Sequence, residues 1–115
     1  MDPSQLHQIL WNLSENALRY STGKPLIKFY CDIDMETQRP YIDIIDFGPG
    51  ITEDIEVHLF EPFFTTETKG SGLGLYIARE LCEANQAALG LSSTSENGAT
   101  FRINFMHINK RDELI

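Results

Sequence analysis

"GSGLGLYIARE", Gly70 to Glu80, sets three glycines in its first five residues and then takes on helical spacing. Glycine at the mouth of a helix costs stability. The usual return is close approach of backbone N–H groups to an anion, commonly phosphate. Two familiar phosphate loops do not fit. The string GxxxxGK[ST] is absent from the chain. A GxGxxG loop follows a strand inside a βαβ unit, whereas the spacing here is GxGxG and the preceding residues are "FEPFFTTETK" (60–69). The glycines Gly70, Gly72 and Gly74 therefore serve a different loop, which reads as a lid (expected over residues 61–72) leading into a helix N-terminus, with Lys69 at its hinge. An ordinary glycine-rich connector is the plainer alternative.

Working outward, residues 73–88 predict a helix with Leu73, Ile77, Leu81, Ala84 and Ala88 on one side. Residues 3–21 predict another, with Leu6, Ile9, Leu10, Leu13, Ala17 and Tyr20 recurring at steps of three and four. Pro3 suits its first turn and Gly23 follows its end. "LIKFYCDID" (26–34) and "YIDIID" (41–46) read as strands joined through the polar turn "METQRP". "ALGLSSTS" and "ATFRINFMHI" flank "ENG", a hairpin signal. Residues 51–72 are irregular, with a short helix near Glu53–His58. The order α, β, β, loop, α, β, β predicts an α+β domain. Its two layers are a mixed, mostly antiparallel sheet and helices on one face.

The chain has 115 residues, which suits one domain over 1–115. Its net charge of −8 argues against a nucleic acid partner. No apolar run approaches the roughly 20 residues of a membrane span, and "MDPSQLHQ" lacks the apolar core of a signal peptide. Cys31 and Cys82 have no metal-ligand spacing and read as two buried thiols in a reducing compartment. His7, His58 and His107 are scattered and form no zinc motif.

In "ILWNLSENALRYS", Asn12, Asn16 and Arg19 fall at steps of four and three and share one helix face. Asparagine is a poor helix former, so two in mid-helix carry a cost. An amide oxygen is a hard, neutral ligand suited to Mg²⁺, and Arg19 would meet charge the metal leaves uncompensated. A solvated polar face fits the same residues. In "DFGPGI" (46–51), Asp46 ends a strand and Gly48 and Gly50 let the chain turn away. A carboxylate there can accept from an exocyclic amine such as adenine's. A simple Asp–Gly turn is the alternative.

"NLSENALRY", "DFGPG", "FEPFFTT" and "GSGLGL", in that order, resemble the N, G1, F and G2 boxes of the catalytic, ATP-binding domain of sensor histidine kinases. "GATF" (98–101) looks like the family's closing strand motif. Weaker forms of these boxes occur in gyrase, the 90-kDa heat-shock chaperone and mismatch-repair ATPases. The F box and "GLGLYIAREL" favour the histidine kinase branch. Within it, "EPFFTTETKGSGLGLYIARELCEANQA" looks most like nitrogen-regulator-type sensors, and among them sensors of type IV pilus genes.

The resemblance implies a Bergerat-type ATP-binding fold, with ATP and Mg²⁺ as cofactors. It implies Asn16 as the Mg²⁺ ligand, with Asn12 supporting the nucleotide. Arg19 would touch the phosphates and Tyr20 would line the purine pocket. Asp46 would receive the adenine amine, with Gly48 and Gly50 in its turn and Thr100 joined to it through water. Lys69, Gly70, Gly72 and Gly74 would form the phosphate loop, flanked by Leu73 and Leu75. Phe60, Phe63 and Phe64 would anchor the lid, although core packing suits aromatic clusters equally.

Two departures stand out. Related sensors often carry lysine after "FFTT", where this chain has Glu67, and Lys69 stands two residues on. The HExxxPL phosphoacceptor motif is absent. The implied partners are therefore the dimerisation domain of the same kinase and a response regulator. The isolated domain is expected to be a monomer in the cytoplasm, with no nucleic acid or direct membrane contact and little turnover alone. In the gyrase-type ATPases a glutamate stands one turn before the metal-binding Asn. Asn12 holds that position here, and Glu15 is expected to point off the face. A serine kinase acting on a separate protein and a nucleotide-dependent docking module are the further alternatives.

Overall fold

The computed structural model describes residues 1–20, 26–64 and 72–106. The elements run α1 (Pro3–Tyr20), β1 (Ile27–Ile33), β2 (Pro40–Asp46), α2 (Glu53–Glu56), α3 (Gly74–Ala84), β3 (Ala87–Ser95) and β4 (Gly98–Phe105). The four strands form one sheet in the order β1-β2-β4-β3. Every neighbouring pair is antiparallel, so the expected mostly antiparallel sheet has no parallel pair among the described strands. α1 and α3 lie side by side on one face, α1 across β2 and α3 along β3.

Strand alternation decides which residues meet the helices. Ile44, Phe101, Ile103 and Leu89 pack against Ile9, Leu13 and Ala17 of α1 and Ala78 and Cys82 of α3. Each fully buried Leu or Ile in such a core contributes about 1.5–3 kcal/mol relative to exposure. Of the stripe predicted on α1, Ile9, Leu13 and Ala17 are buried and Leu10 packs beside them.

The α3 expectation needs correcting at its end and on its face. The helix stops at Ala84, not 88. Asn85 donates from Nδ2 to the Leu81 carbonyl at 2.8 Å, and Gln86 takes φ 59°, which swings the chain back so that Ala87 begins β3. The buried face carries Ala78 and Cys82, with Leu75 and Leu81 beside them, while Ile77 is 39% exposed. Small residues at these contacts let α3 sit close to α1 and the sheet.

Both predicted hairpins form. In the second, Ser95 pairs with Gly98, so Glu96 and Asn97 make the turn. Gly98, at φ +141°, instead permits close approach: a Cβ there would stand 2.1 Å from the Asp46 carbonyl oxygen. Cys82 is buried as expected, but Cys31 is exposed. It lies on edge strand β1, opposite Ile42. The helices do not cover this end of the sheet, and neighbouring Phe29 and Ile33 are 50% and 51% exposed.

Candidate functional site

A cavity of about 130 Å³ opens between α1, the end of β2, α2 and the start of α3. From α1 it is lined by Asn12, Glu15, Asn16 and Arg19, and from the far side by Asp46, Gly50, Ile51, Ile55, Leu59 and Ala99. Phe64, Gly72, Gly74 and Leu75 close the third side. Three local sequence signals thus converge on one space: the amide-rich helix face, the strand-end carboxylate and the glycine stretch.

Asp46 is 5% exposed. Its Oδ1 accepts from the backbone N–H of Gly48 at 3.0 Å and of Ala99 at 3.1 Å. No described residue donates to Oδ2, which is left to take a donor from a ligand. Gly48 serves the carboxylate rather than lining the cavity. Gly50 lines the cavity, yet its need for glycine comes from elsewhere. At φ +83°, a Cβ would fall 1.9 Å from the Ser95 carbonyl oxygen of β3.

Asn12 is already engaged. Its Oδ1 accepts from Gln8 Nε2 at 2.8 Å, and its Nδ2 donates to the Gly74 carbonyl at 3.3 Å. It ties α1 to the first residue of α3. Asn16 has no hydrogen-bond partner among the described residues, and neither has Arg19, so their polar atoms are available to a ligand. α3 begins without a side-chain cap, so the N–H groups of its first turn are unpaired within the helix. This end faces the cavity through Gly74 and Leu75. The Leu73 carbonyl accepts from Ile77 N at 2.8 Å, and Leu73 is not a lining residue.

Phe63 and Gly72, on either side of residues 65–71, are joined by a hydrogen bond from Phe63 N to the Gly72 carbonyl at 2.8 Å. The phenylalanines divide into three roles. Phe60 packs edge-on against Phe101, ring centres 6.2 Å apart, beneath the Arg79 guanidinium. Phe63 is 73% exposed. Phe64 lines the cavity and stacks on His58 at 5.3 Å.

Two expectations are corrected here. Thr100 does not reach the cavity. It pairs with Ile45 on β2, one step out of phase with core residues Ala99 and Phe101, and so points to the open face of the sheet. Ala99 takes its place beside Asp46 through its backbone. Glu15 does not point away: it lines the cavity with the two asparagines. At 100° per residue the arc from Glu15 to Asn16 is only about 100° and contains Asn12 and Arg19. Lys69, Gly70 and the Tyr20 side chain lie outside the described residues. The apolar wall of Ile51, Ile55 and Leu59 was also missed. Its spacing of four was the available signal.

The donor set fits a nucleotide polyphosphate with a hard divalent cation. It offers a free amide oxygen, a guanidinium and an uncapped helix start on one side, and a buried carboxylate above an apolar wall on the other.

The family model of histidine kinase-, DNA gyrase B- and HSP90-like ATPases matches residues 1–109. The chain is 50% identical to the sensor protein kinase PilS of Pseudomonas aeruginosa over 113 residues, which cover 96% of this chain and 21% of PilS. It is 36% identical to the histidine protein kinase SaeS of Staphylococcus aureus over 104 residues, 85% of this chain and 30% of SaeS. The chain thus spans less than a third of these curated relatives. The catalytic domain of histidine kinase ThkA superposes with a TM-score of 0.75 at 34% identity, over 91% of this chain and 68% of that one. Full-length ShkA, solved in complex with AMPPNP, superposes at 0.70 and 27% identity, over 91% of this chain and 22% of ShkA. The fold, the cavity and these matches agree: the chain belongs to the histidine kinase-, DNA gyrase B- and HSP90-like ATPases, as a catalytic domain of the histidine kinase branch.

Proposed function

We propose that this domain binds Mg-ATP and presents the γ-phosphate to a histidine on the dimerisation domain of its parent sensor kinase, for relay to a response-regulator aspartate. The observation that carries this reading is the facing of Asn16 and Arg19 on α1 against Asp46, with the uncapped start of α3 at the same cavity.

Asp46 Oδ2 accepts the adenine amine, and Ile51, Ile55 and Leu59 hold the base by apolar contact. Arg19 and the first-turn N–H groups of α3 meet the phosphates. Asn16 is the residue that would hold Mg²⁺, which when bound neutralises phosphate charge. Asn12 keeps α3 aligned by its bond to Gly74. Lys69 and Gly70 complete the phosphate loop in this reading. The chain's share of catalysis is positioning and charge compensation, as phosphoryl transfer requires. In this reading the acceptor is a histidine of the dimerisation domain; His7 and His58 do not line the cavity, and His107 lies outside the described residues.

The kinship with PilS supports a role in regulating type IV pilus genes. It also favours the histidine kinase over the serine kinase and docking-module readings. A location on the cytoplasmic side, where ATP is available, goes with this function. Among the described residues no helix is long and apolar enough to cross a membrane. The isolated domain is expected to be a monomer.

Calorimetric titration with AMPPNP and Mg²⁺ tests the site. Binding by the parent chain, lost in Asn16→Ala and Asp46→Ala, is the expected result. Incubation with labelled ATP and the dimerisation domain added in trans tests the reaction. Acid-labile label on histidine is expected, and acid-stable label on serine would reassign the activity.

A further inference from the structure

We infer that Glu15 makes nucleotide binding depend on the divalent cation: its carboxylate opposes a bare polyphosphate in the cavity and favours one that carries Mg²⁺. The inference rests on the ATP-site reading above and adds a role for a residue outside that reading's ligand set.

The charge balance of the cavity is the first ground. Among the described residues its charged lining side chains are Glu15, Asp46 and Arg19, two negative against one positive. Asp46 is committed through Oδ1 to two backbone donors at the β2 end. Glu15 shares its arc of α1 with Asn16 and Arg19, the two side chains available to phosphate and metal. The surrounding protein carries a net charge of −8 and provides no background attraction for an anion.

The second ground is that Glu15 is uncommitted. Arg19 stands four residues on, a spacing at which glutamate and arginine commonly pair on a helix. Yet Glu15 makes no hydrogen bond or ion pair among the described residues, and it is exposed. Its carboxylate therefore contributes little to the fold and is free to act on what enters. A carboxylate oxygen is a hard donor suited to Mg²⁺ or its bound water. The same charge that repels a phosphate alone attracts the cation beside it.

The signature is a pair of opposite effects. AMPPNP dissociation constants are measured by calorimetry in excess EDTA and in saturating Mg²⁺, for the parent chain, Glu15→Gln and Glu15→Asp. Glu15→Gln should bind more tightly in EDTA and more weakly in Mg²⁺. The ratio of the two constants should fall about tenfold, the scale of one unit charge acting over several ångströms near a surface. Glu15→Asp should keep most of the ratio. Titrating Mg²⁺ at fixed AMPPNP reads the same linkage where binding in EDTA is too weak to follow, and the Glu15→Gln midpoint should then rise about tenfold. A Glu15→Gln ratio and midpoint within about twofold of the parent would overturn the inference. So would a shift of both constants in the same direction, the mark of a structural role. Failure of the parent chain to bind AMPPNP under either condition would instead bring down the ATP-site reading, and this inference with it.

Discussion

Asp46 carries the largest share of the site on one side chain. Its Oδ1 holds two backbone N–H groups in a buried turn, so removing the carboxylate has a structural cost as well as a functional one. Asp46→Ala should lose about 1–3 kcal/mol of stability, because buried donors are left unpaired. Urea denaturation would measure it. Asp46→Asn preserves the shape, and its main expected effect is on AMPPNP affinity, weakened about 10- to 100-fold by loss of the charged acceptor. The two cysteines differ in kind. Burial, with a smaller contribution from Glu83, pushes the Cys82 thiol up to about 11 from its ordinary 9.0. The folded state holds that proton more tightly than the unfolded one. The stabilisation is therefore complete below pH 9.0 and declines as the pH rises toward 11. Native protein at pH 8 should take one iodoacetamide group, on exposed Cys31, and a second only after unfolding, as read by mass spectrometry.

At the scale of elements, the site draws on the contact between Phe63 and Gly72. Phe63 takes φ 67° and Gly72 takes φ 75°, joined by the hydrogen bond between them. A left-handed conformation costs a non-glycine residue about 1–2 kcal/mol, so the strain sits at Phe63 while Gly72 accommodates it. A Cβ at Gly72 would lie 2.4 Å from the Phe63 carbonyl carbon. Gly72→Ala should therefore break the Phe63–Gly72 contact and weaken AMPPNP binding more than it lowers the melting temperature. Parallel calorimetry and thermal melts would separate the two effects. Asn12 makes the corresponding link between helices. Asn12→Ala should speed amide hydrogen exchange in the first turn of α3 without unfolding the domain, because it removes the tie to Gly74 and leaves the core stripe intact.

At the scale of the whole molecule, the sheet separates function from a second polar system on its open face. Arg102 makes a two-pronged pair with Asp43, at 2.7 and 2.9 Å, and its guanidinium lies 4.0 Å from the Tyr41 ring centre. Arg102→Lys forfeits both the fork and the stacking and should cost about 1 kcal/mol in urea denaturation. AMPPNP affinity should be unchanged, since the cavity lies on the helix side. Sequence periodicity made much of this architecture legible: the α1 stripe, both hairpins and the helices on one face. The spacing of Asn12, Asn16 and Arg19, together with the strand-end Asp46, made half of the cavity legible as well. Those features are local, because a helix repeats every 3.6 residues and a strand every two. Thr100 shows where local reading ends. Whether Ala99 or Thr100 faces Asp46 depends on the β2–β4 register, in which Ile45 sits opposite Thr100, and one step of register exchanges the two faces. The end of α3 depended likewise on how Asn85 and Gln86 turn the chain into β3. Glu15 completes the contrast. The sequence by itself determined which side chains line up along α1. Only the packing of α3 against that helix, with α2 across the cavity, decided how wide an arc faces the site, and so brought in a carboxylate that two amides and an arginine had not announced.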